Sequence, residues 1–375
     1  MEHQNYSRRD FLKTPAALTV AGAPAILHGQ QGSDTVRAAF VGVGNRGSFL
    51  LRQMLKVAGV QVVAVCDILP DRADKAAGAV SQAGGSAKTY TDFRTMLDQE
   101  KGIDAVVLAT PDVTHREIDI AILRTGKHLY AEKPLAVTVA DCKAVAAEAA
   151  RAKGVFQVGF QLRHDPNRNA GEKYIHSGGI GKVILCHGIR HGGDLPRDIP
   201  WYFEKKNTGD IIVDQGIHIL DLFTWAIGGH PLRAMGSGGT NLFINEPPGR
   251  TVMDNYSVIF EYPNGVRVNF SHHYLDPSGF TGTKELVFGS EGAVDLAAGA
   301  WQPRVGKRGL VKLEVPNAGQ DATYMSLAVF IENIRTNNRK PLNDAESALR
   351  STIVPIMGTK AIEERRIVTW EEVAG

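Results

Sequence analysis

Between residues 38 and 55 the pattern of apolar residues changes period. Ala38-Ala39-Phe40-Val41-Gly42-Val43 is a short apolar run, the mark of a strand buried on both faces of a parallel sheet. Leu50, Leu51, Met54 and Leu55 then recur at helical spacing. Between strand and helix, Gly42, Gly44 and Gly47 fall at G-x-G-x-x-G spacing. Each glycine has a task there. Gly42 permits the tight turn, Gly44 lets a pyrophosphate approach the main chain, and Gly47 lets helix and strand pack closely. The backbone of Gly44-Asn45-Arg46-Gly47 would meet the phosphates at the helix start, where the dipole favours an anion.

A glycine turn alone is common, so its context decides. A second apolar strand, 60–65, ends in Cys66-Asp67, and Asp67 lies 20 residues after Gly47. That is the place of an acid that hydrogen-bonds the adenosine ribose and repels a 2′-phosphate, which favours NAD over NADP. Arg72, five residues on, works against that preference. Arg46 is either a phosphate contact or a solvated loop arginine.

The β-then-α alternation continues. Helices are expected at 73–82, 92–97, 113–125 and 139–153, and strands at 104–111, 127–131 and 155–159. Gly126 and Gly154 close two of the helices. Such repetition makes a doubly wound parallel sheet over residues 34–157. After that the texture changes. Segments 182–189, 255–261, 266–274, 284–288, 293–296 and 311–315 read as strands, with a hairpin at Pro263-Asn264-Gly265. The fold class is therefore α/β: an N-terminal doubly wound Rossmann domain, then an α+β domain (158–375) with a large, mainly antiparallel open sheet. Helices at 324–336 and 345–364 end the chain.

Residues 1–33 stand apart. Ser7-Arg8-Arg9-Asp10-Phe11-Leu12-Lys13 precedes an apolar stretch, 15–27, broken by Pro and Gly. It is too short and interrupted to span a bilayer. The segment resembles a twin-arginine (Tat) signal, and Ala21-Gly22-Ala23 and Ala23-Pro24-Ala25 are possible cleavage sites. The resemblance implies export of a folded protein through the Tat machinery to the periplasm or beyond. Free nucleotide is scarce there, so the cofactor should be tightly bound.

Composition excludes several classes. Charge is nearly balanced at +2, and no basic stripe points to nucleic acid. Cys66, Cys142 and Cys186 make neither a disulfide framework nor a metal cluster.

Hydride removal from a carbinol carbon needs a base for the hydroxyl proton and a group to stabilise the oxyanion. Lys133, in Glu132-Lys133-Pro134, lies just past the C-terminal end of a parallel strand, where such sheets bind ligands. Asp214 and His218 are four apart at the start of an apolar helix, a spacing that puts both on one face. Asp221 extends the stripe and superficially suggests a metal, but a second ligand group is missing. We expect no metal.

The motifs follow one another as Gly42-x-Gly44-x-x-Gly47, Thr110-Pro111 with His115, Gly126-Lys127-His128, Glu132-Lys133-Pro134, Gly159-Phe160-Gln161-x-Arg163 and Asp214-x-x-x-His218. That order resembles the Gfo/Idh/MocA family of NAD(P)-dependent oxidoreductases, which act mostly on sugars and cyclitols. The resemblance implies that Lys133, Asp214 and His218 form the catalytic group. His218 would be the general base, Lys133 its electrostatic partner and Asp214 the orienter or a substrate ligand. It further implies that Thr110, Pro111, His115, Glu132 and Lys133 line the cofactor site, and that the open sheet forms homodimers or homotetramers. For the substrate, a carbohydrate or polyol, Arg163, His191, Trp201, Lys133, Asp214 and His218 are the expected contacts. His187, Arg190, Asp194, Arg197, Tyr202, His272 and His273 are further polar or aromatic candidates. Two other activities fit the same residues. One is a redox glycosidase, in which transient oxidation allows elimination before the hydride returns. The other is a non-catalytic NAD- or sugar-binding protein.

Overall fold

Six strands, largely buried apart from the edge strand β3, carry the first half: β1 (Val36–Val41), β2 (Val60–Cys66), β3 (Lys88–Tyr90), β4 (Ala105–Leu108), β5 (His128–Ala131) and β6 (Phe156–Val158). The structure is a computed structural model and describes residues 35–192, 195, 199–276, 280–306 and 309–375. Our expectations for residues 1–33, and for Asp194 and Arg197, lie outside the described residues. The strands run in the order β3-β2-β1-β4-β5-β6, and every neighbouring pair is parallel. Ala39, Val106 and Leu129 point into one core, and Phe40, Val107 and Tyr130 into the other. That two-sided burial is why these segments are continuously apolar. The connecting helices are α1 (Asn45–Met54), α2 (Pro70–Gln82), α3 (Phe93–Gln99), α4 (His115–Arg124) and α5 (Val139–Arg151). Strand order reverses between β1 and β4, which opens a crevice at their C-terminal ends.

The second half contains α6 (Pro166–His176), β7 (Val183–His191), α7 (Lys205–Thr208), α8 (Ile217–Ile227), β8 (Arg233–Gly239), β9 (Asn255–Glu261), β10 (Arg267–His273), β11 (Gly282–Gly289), β12 (Gly292–Asp295), β13 (Ala300–Pro303) and β14 (Val311–Lys312). It ends with α9 (Ala322–Arg335), α10 (Ala345–Glu364), β15 (Val368–Thr369) and α11 (Trp370–Ala374). Its nine-stranded sheet has the order β14-β13-β12-β11-β7-β10-β9-β8-β15. The sheet is mainly antiparallel, with β7 and β10 a parallel pair at its centre. One face receives α8: a Cβ on Gly188 would stand 2.7 Å from the Phe223 ring. Only glycine allows so close an approach.

The two terminal helices return to the first domain. Leu327, Phe330 and Ile331 of α9 are wholly buried in the core lined by Phe40, Leu50, Met54 and Tyr130. Polar contacts fix the seat: Gln157 Nε2 donates to the Ser326 carbonyl (2.9 Å) and Asn333 Nδ2 to Gln157 Oε1 (3.0 Å). Helix α10 is shared. Ala348 enters the first domain's core, whereas Val354, Met357, Ala361 and Ile362 enter the second's. Among the described residues, no helix is long and apolar enough to cross a membrane.

Candidate active site

The glycine turn comes first along the crevice. Gly42 has φ +79°, and a Cβ there would lie 2.6 Å from the Ala109 carbonyl oxygen. A Cβ on Gly47 would sit 1.9 Å from the Gly42 carbonyl oxygen. At Gly44 the nearest group is the tip of Arg72, 3.4 Å away, so this glycine leaves main chain open to a ligand. No side chain caps α1, and its first turn carries no acid. An anion would meet the helix dipole unopposed. Asp67 is buried, and its Oδ2 accepts from Val43 N (2.9 Å) while Oδ1 accepts from Leu69 N (3.1 Å). A carboxylate has about four acceptor positions, so it braces the turn and keeps capacity for ribose hydroxyls. These features fit a dinucleotide.

Arg46 is engaged by contacts within the protein. Its Nε donates to Glu132 Oε1 at 2.8 Å, its Nη2 lies 2.7 Å from the same oxygen, and its Nη1 donates to Thr323 Oγ1 at 3.2 Å. Arg46 thus ties α1 to β5 and α9, and Glu132 is its anchor. His115 is held in the same way. It is wholly buried, with Nδ1 2.7 Å from the Pro134 carbonyl and Nε2 3.1 Å from the Thr110 carbonyl. The ring braces the Thr110-Pro111 and Lys133-Pro134 loops.

Lys133 Nζ donates to both the carbonyl oxygen and Oδ1 of Asp214, each at 2.7 Å. Burial disfavours the ammonium, but the Asp214 carboxylate outweighs it and holds its pKa above the ordinary value. Burial pushes Asp214 up, and Lys133 reverses that so its pKa falls below the usual carboxylate range. Gln215 Nε2 donates to Asp214 Oδ2 (2.5 Å), and Arg190 Nη2 to Gln215 Oε1 (2.7 Å). Asp214 therefore orients Lys133, not His218 as the four-residue spacing suggested. Ile212–Gly216 is a turn of π-helix ahead of α8. His218 is half-buried and has no hydrogen-bond partner among the described residues. Burial, then Lys133 and Arg190, drive its pKa well below the usual imidazole value. It is a neutral ring able to accept a proton.

Asp112 is a buried acid beside the site that the sequence did not single out. It follows Thr110-Pro111 at the C-terminal end of β4, and it is 4% exposed. Its Oδ2 has no partner. Burial, and next the Asp214 carboxylate, raise its pKa well above the ordinary value, which favours the neutral acid beside Asp214. An acid adjoining two residues of a recognised motif, at the ligand end of a parallel strand, was the available signal.

Arg163 is bound within the protein. Its guanidinium grips Asp221 at 2.6 Å through Nη2 and 2.9 Å through Nε, and Nη1 donates to the Leu342 carbonyl at 2.8 Å. Both side chains are almost wholly buried, so the pair fastens the segment after β6 to α8 and to the chain before α10. It also accounts for Asp221. Trp201 packs against the second domain's core with its ring edge-on to Tyr202. His191 lies on the wrong face. Successive strand residues alternate sides: Arg190 points to Gln215 and the site, so His191 points to the outer face, as does the exposed His187. His272, on the inner face, is buried against Tyr256 and Tyr274.

Comparison with known proteins agrees with this geometry. Residues 36–160 match the model of an oxidoreductase family with an NAD-binding Rossmann fold, and residues 170–295 match the GFO/IDH/MocA C-terminal domain. The chain belongs to the Gfo/Idh/MocA family. Inositol 2-dehydrogenase 2 of Saccharopolyspora erythraea is 30% identical over 70% of this chain and 73% of its own length. Inositol 2-dehydrogenase of Salmonella typhimurium is 33% identical over 52% of this chain, a match spanning about half, 55%, of that relative. Among solved Gfo/Idh/MocA-like folds, levoglucosan dehydrogenase in complex with NADH and levoglucosan superposes with TM-score 0.77 at 20% identity, covering 89% of this chain and 99% of that one. Myo-inositol 2-dehydrogenase from Lactobacillus plantarum gives 0.74 at 22%, with the same coverage. At such identities the likeness is one of fold.

Proposed function

We propose that this Gfo/Idh/MocA protein is an NAD-dependent oxidoreductase that removes hydride from a ring hydroxyl carbon of a cyclitol or sugar. The observation that carries the reading is Lys133 of the first domain held by Asp214 of the second, with a neutral imidazole at His218 close enough to feel the lysine's charge. When bound, NAD supplies the hydride acceptor. The chain's own residues do the rest. His218 takes the hydroxyl proton, the Lys133 ammonium stabilises the developing alkoxide, and Asp214 keeps that ammonium charged and aimed. Asp112, as the neutral acid, steadies Asp214 without adding a second charge. Inositol 2-dehydrogenases among the relatives favour a cyclitol over an open-chain polyol.

NAD is favoured over NADP by Asp67, which already braces the turn at the ribose position. The outer sheet face carries exposed Ile259 and Phe288, which favours a homo-oligomer joined there. Export through the Tat pathway is supported by Arg8-Arg9 and the apolar segment that follows.

The test is a panel of inositol isomers, levoglucosan and aryl glycosides with purified protein and NAD. NADH should form with a cyclitol or sugar and without release of aglycone. Unchanged turnover in both Lys133→Met and His218→Asn would overturn the reading. Aglycone release without net NADH would instead establish the redox glycosidase, and nucleotide binding with no chemistry on any substrate a sensor.

A further inference from the structure

A second group of ligating side chains lies on the opposite face of the open sheet from Lys133 and Asp214. His191 of β7 and His273 of β10 are register partners across the parallel pair, and their rings stack with centroids 3.7 Å apart. Asp276, just past β10, approaches both. Its Oδ1 lies 3.4 Å from His273 Nε2 and its Oδ2 3.8 Å from His191 Nδ1. One candidate ligand atom from each residue falls within 4.8 Å of the others.

Chemistry already present leaves this group unsatisfied. Ser271 Oγ lies 3.1 Å from His191 Nε2. With the proton on that nitrogen, Nδ1 offers a lone pair towards a carboxylate oxygen too distant to share a hydrogen. That oxygen, Asp276 Oδ2, is buried without a hydrogen-bond partner. Two stacked imidazoles repel one another when both are charged, so a doubly protonated state is disfavoured. Lone pairs from neutral rings and a carboxylate converging on one point are what a borderline divalent cation takes up. The backbone holds the frame: Gly192 N donates to the His273 carbonyl (2.8 Å) and Asp276 N to the Gly192 carbonyl (3.3 Å). One contact would be given up. His273 Nδ1 accepts from Leu275 N at 3.3 Å, and ligation through Nε2 places the proton on Nδ1.

We propose that His191, His273 and Asp276 bind a divalent transition-metal cation of the zinc class, with an open fourth position, separate from the NAD and substrate crevice. Ser271 would fix the His191 tautomer, as supporting residues do around bound zinc. The site joins the ends of the parallel β7–β10 pair, so it would stiffen the centre of the sheet.

The test uses the full chain without an affinity tag, stripped by chelator and then titrated with Zn²⁺ against a chromogenic competitor. Wild type and His187→Gln, a histidine on the same face, should each take up one tight equivalent. His273→Gln and Asp276→Asn should bind more than about tenfold more weakly, beyond the lower end of what losing a supporting contact does. Zinc should also raise the melting temperature of wild type and not of Asp276→Asn, a variant that keeps shape and removes only charge. Absence of tight zinc in the wild type overturns the proposal. So does equal retention by Asp276→Asn with a native circular dichroism spectrum.

Discussion

Lys133 Nζ touches Asp214 twice, at the carbonyl oxygen and at Oδ1, each 2.7 Å away. The bond joins two halves of the chain that share no sheet. Lys133→Met should lower turnover by about 10²–10⁴-fold while NAD affinity falls far less. Steady-state kinetics alongside a nucleotide-binding titration separate the two effects.

His218 has its pKa driven well below the usual imidazole value, by burial first and then by Lys133. A base must be unprotonated to act. The acid limb of the kcat/KM profile should therefore lie below pH ~6.5, with activity retained through neutral pH. His218→Asn should remove that limb and lose about 10²–10⁴-fold in turnover.

Burial, and then the Asp214 carboxylate, raise the pKa of Asp112. A carboxyl with a raised folded pKa contributes stability that is fully present below its unfolded pKa, near ~3.9, and is lost as pH climbs through the folded value. Asp112→Asn keeps a donor towards Asp214 and cannot ionise. Its melting temperature should match wild type at acid pH and equal or exceed it at neutral pH. Denaturation across pH checks the sign.

The Arg163–Asp221 pair is almost wholly buried. Removing one partner leaves an uncompensated charge, so Asp221→Asn should destabilise the fold by roughly 3–5 kcal/mol. KM for substrate should stay near the wild-type value in the folded fraction. A selective rise in KM with intact stability would return Arg163 to the substrate.

The glycines should separate cleanly. Gly47→Ala forces a Cβ to 1.9 Å from the Gly42 carbonyl and should damage folding, whereas at Gly44 a Cβ meets only Arg72 at 3.4 Å. Gly44→Ala should therefore fold and melt normally yet bind NAD more weakly. Calorimetry with and without nucleotide reads both.

Local periodicity made the first domain legible, because β1, the glycine turn and α1 are set by adjacent residues. Strand β8 was not legible. Its Arg233-Ala234-Met235-Gly236-Ser237-Gly238-Gly239 reads as a loop, but Gly236 leaves room for Ser257 and Ile362, whose atoms would come within 2.8 and 2.9 Å of a Cβ. Tertiary approach decides that strand. In the site, Lys133 was marked by its motif. The spacing of Asp214 and His218 could not show the bond from Asp214 to Lys133, because that contact joins residues 81 apart in the chain. His191 was misplaced for a subtler reason. Ile184 and Leu185 are both apolar, so β7 does not announce which parity faces inward.

The seating of α9 has a temporal consequence. Leu327, Phe330 and Ile331 complete a core whose other walls, Phe40, Leu50 and Tyr130, were synthesised about two hundred to three hundred residues earlier. On a ribosome, the nucleotide-holding half is left with an apolar flank uncovered until nearly the whole polypeptide has emerged. Maturation of that half is the last event in the protein's synthesis, and a messenger truncated before residue 322 would yield no separable cofactor module.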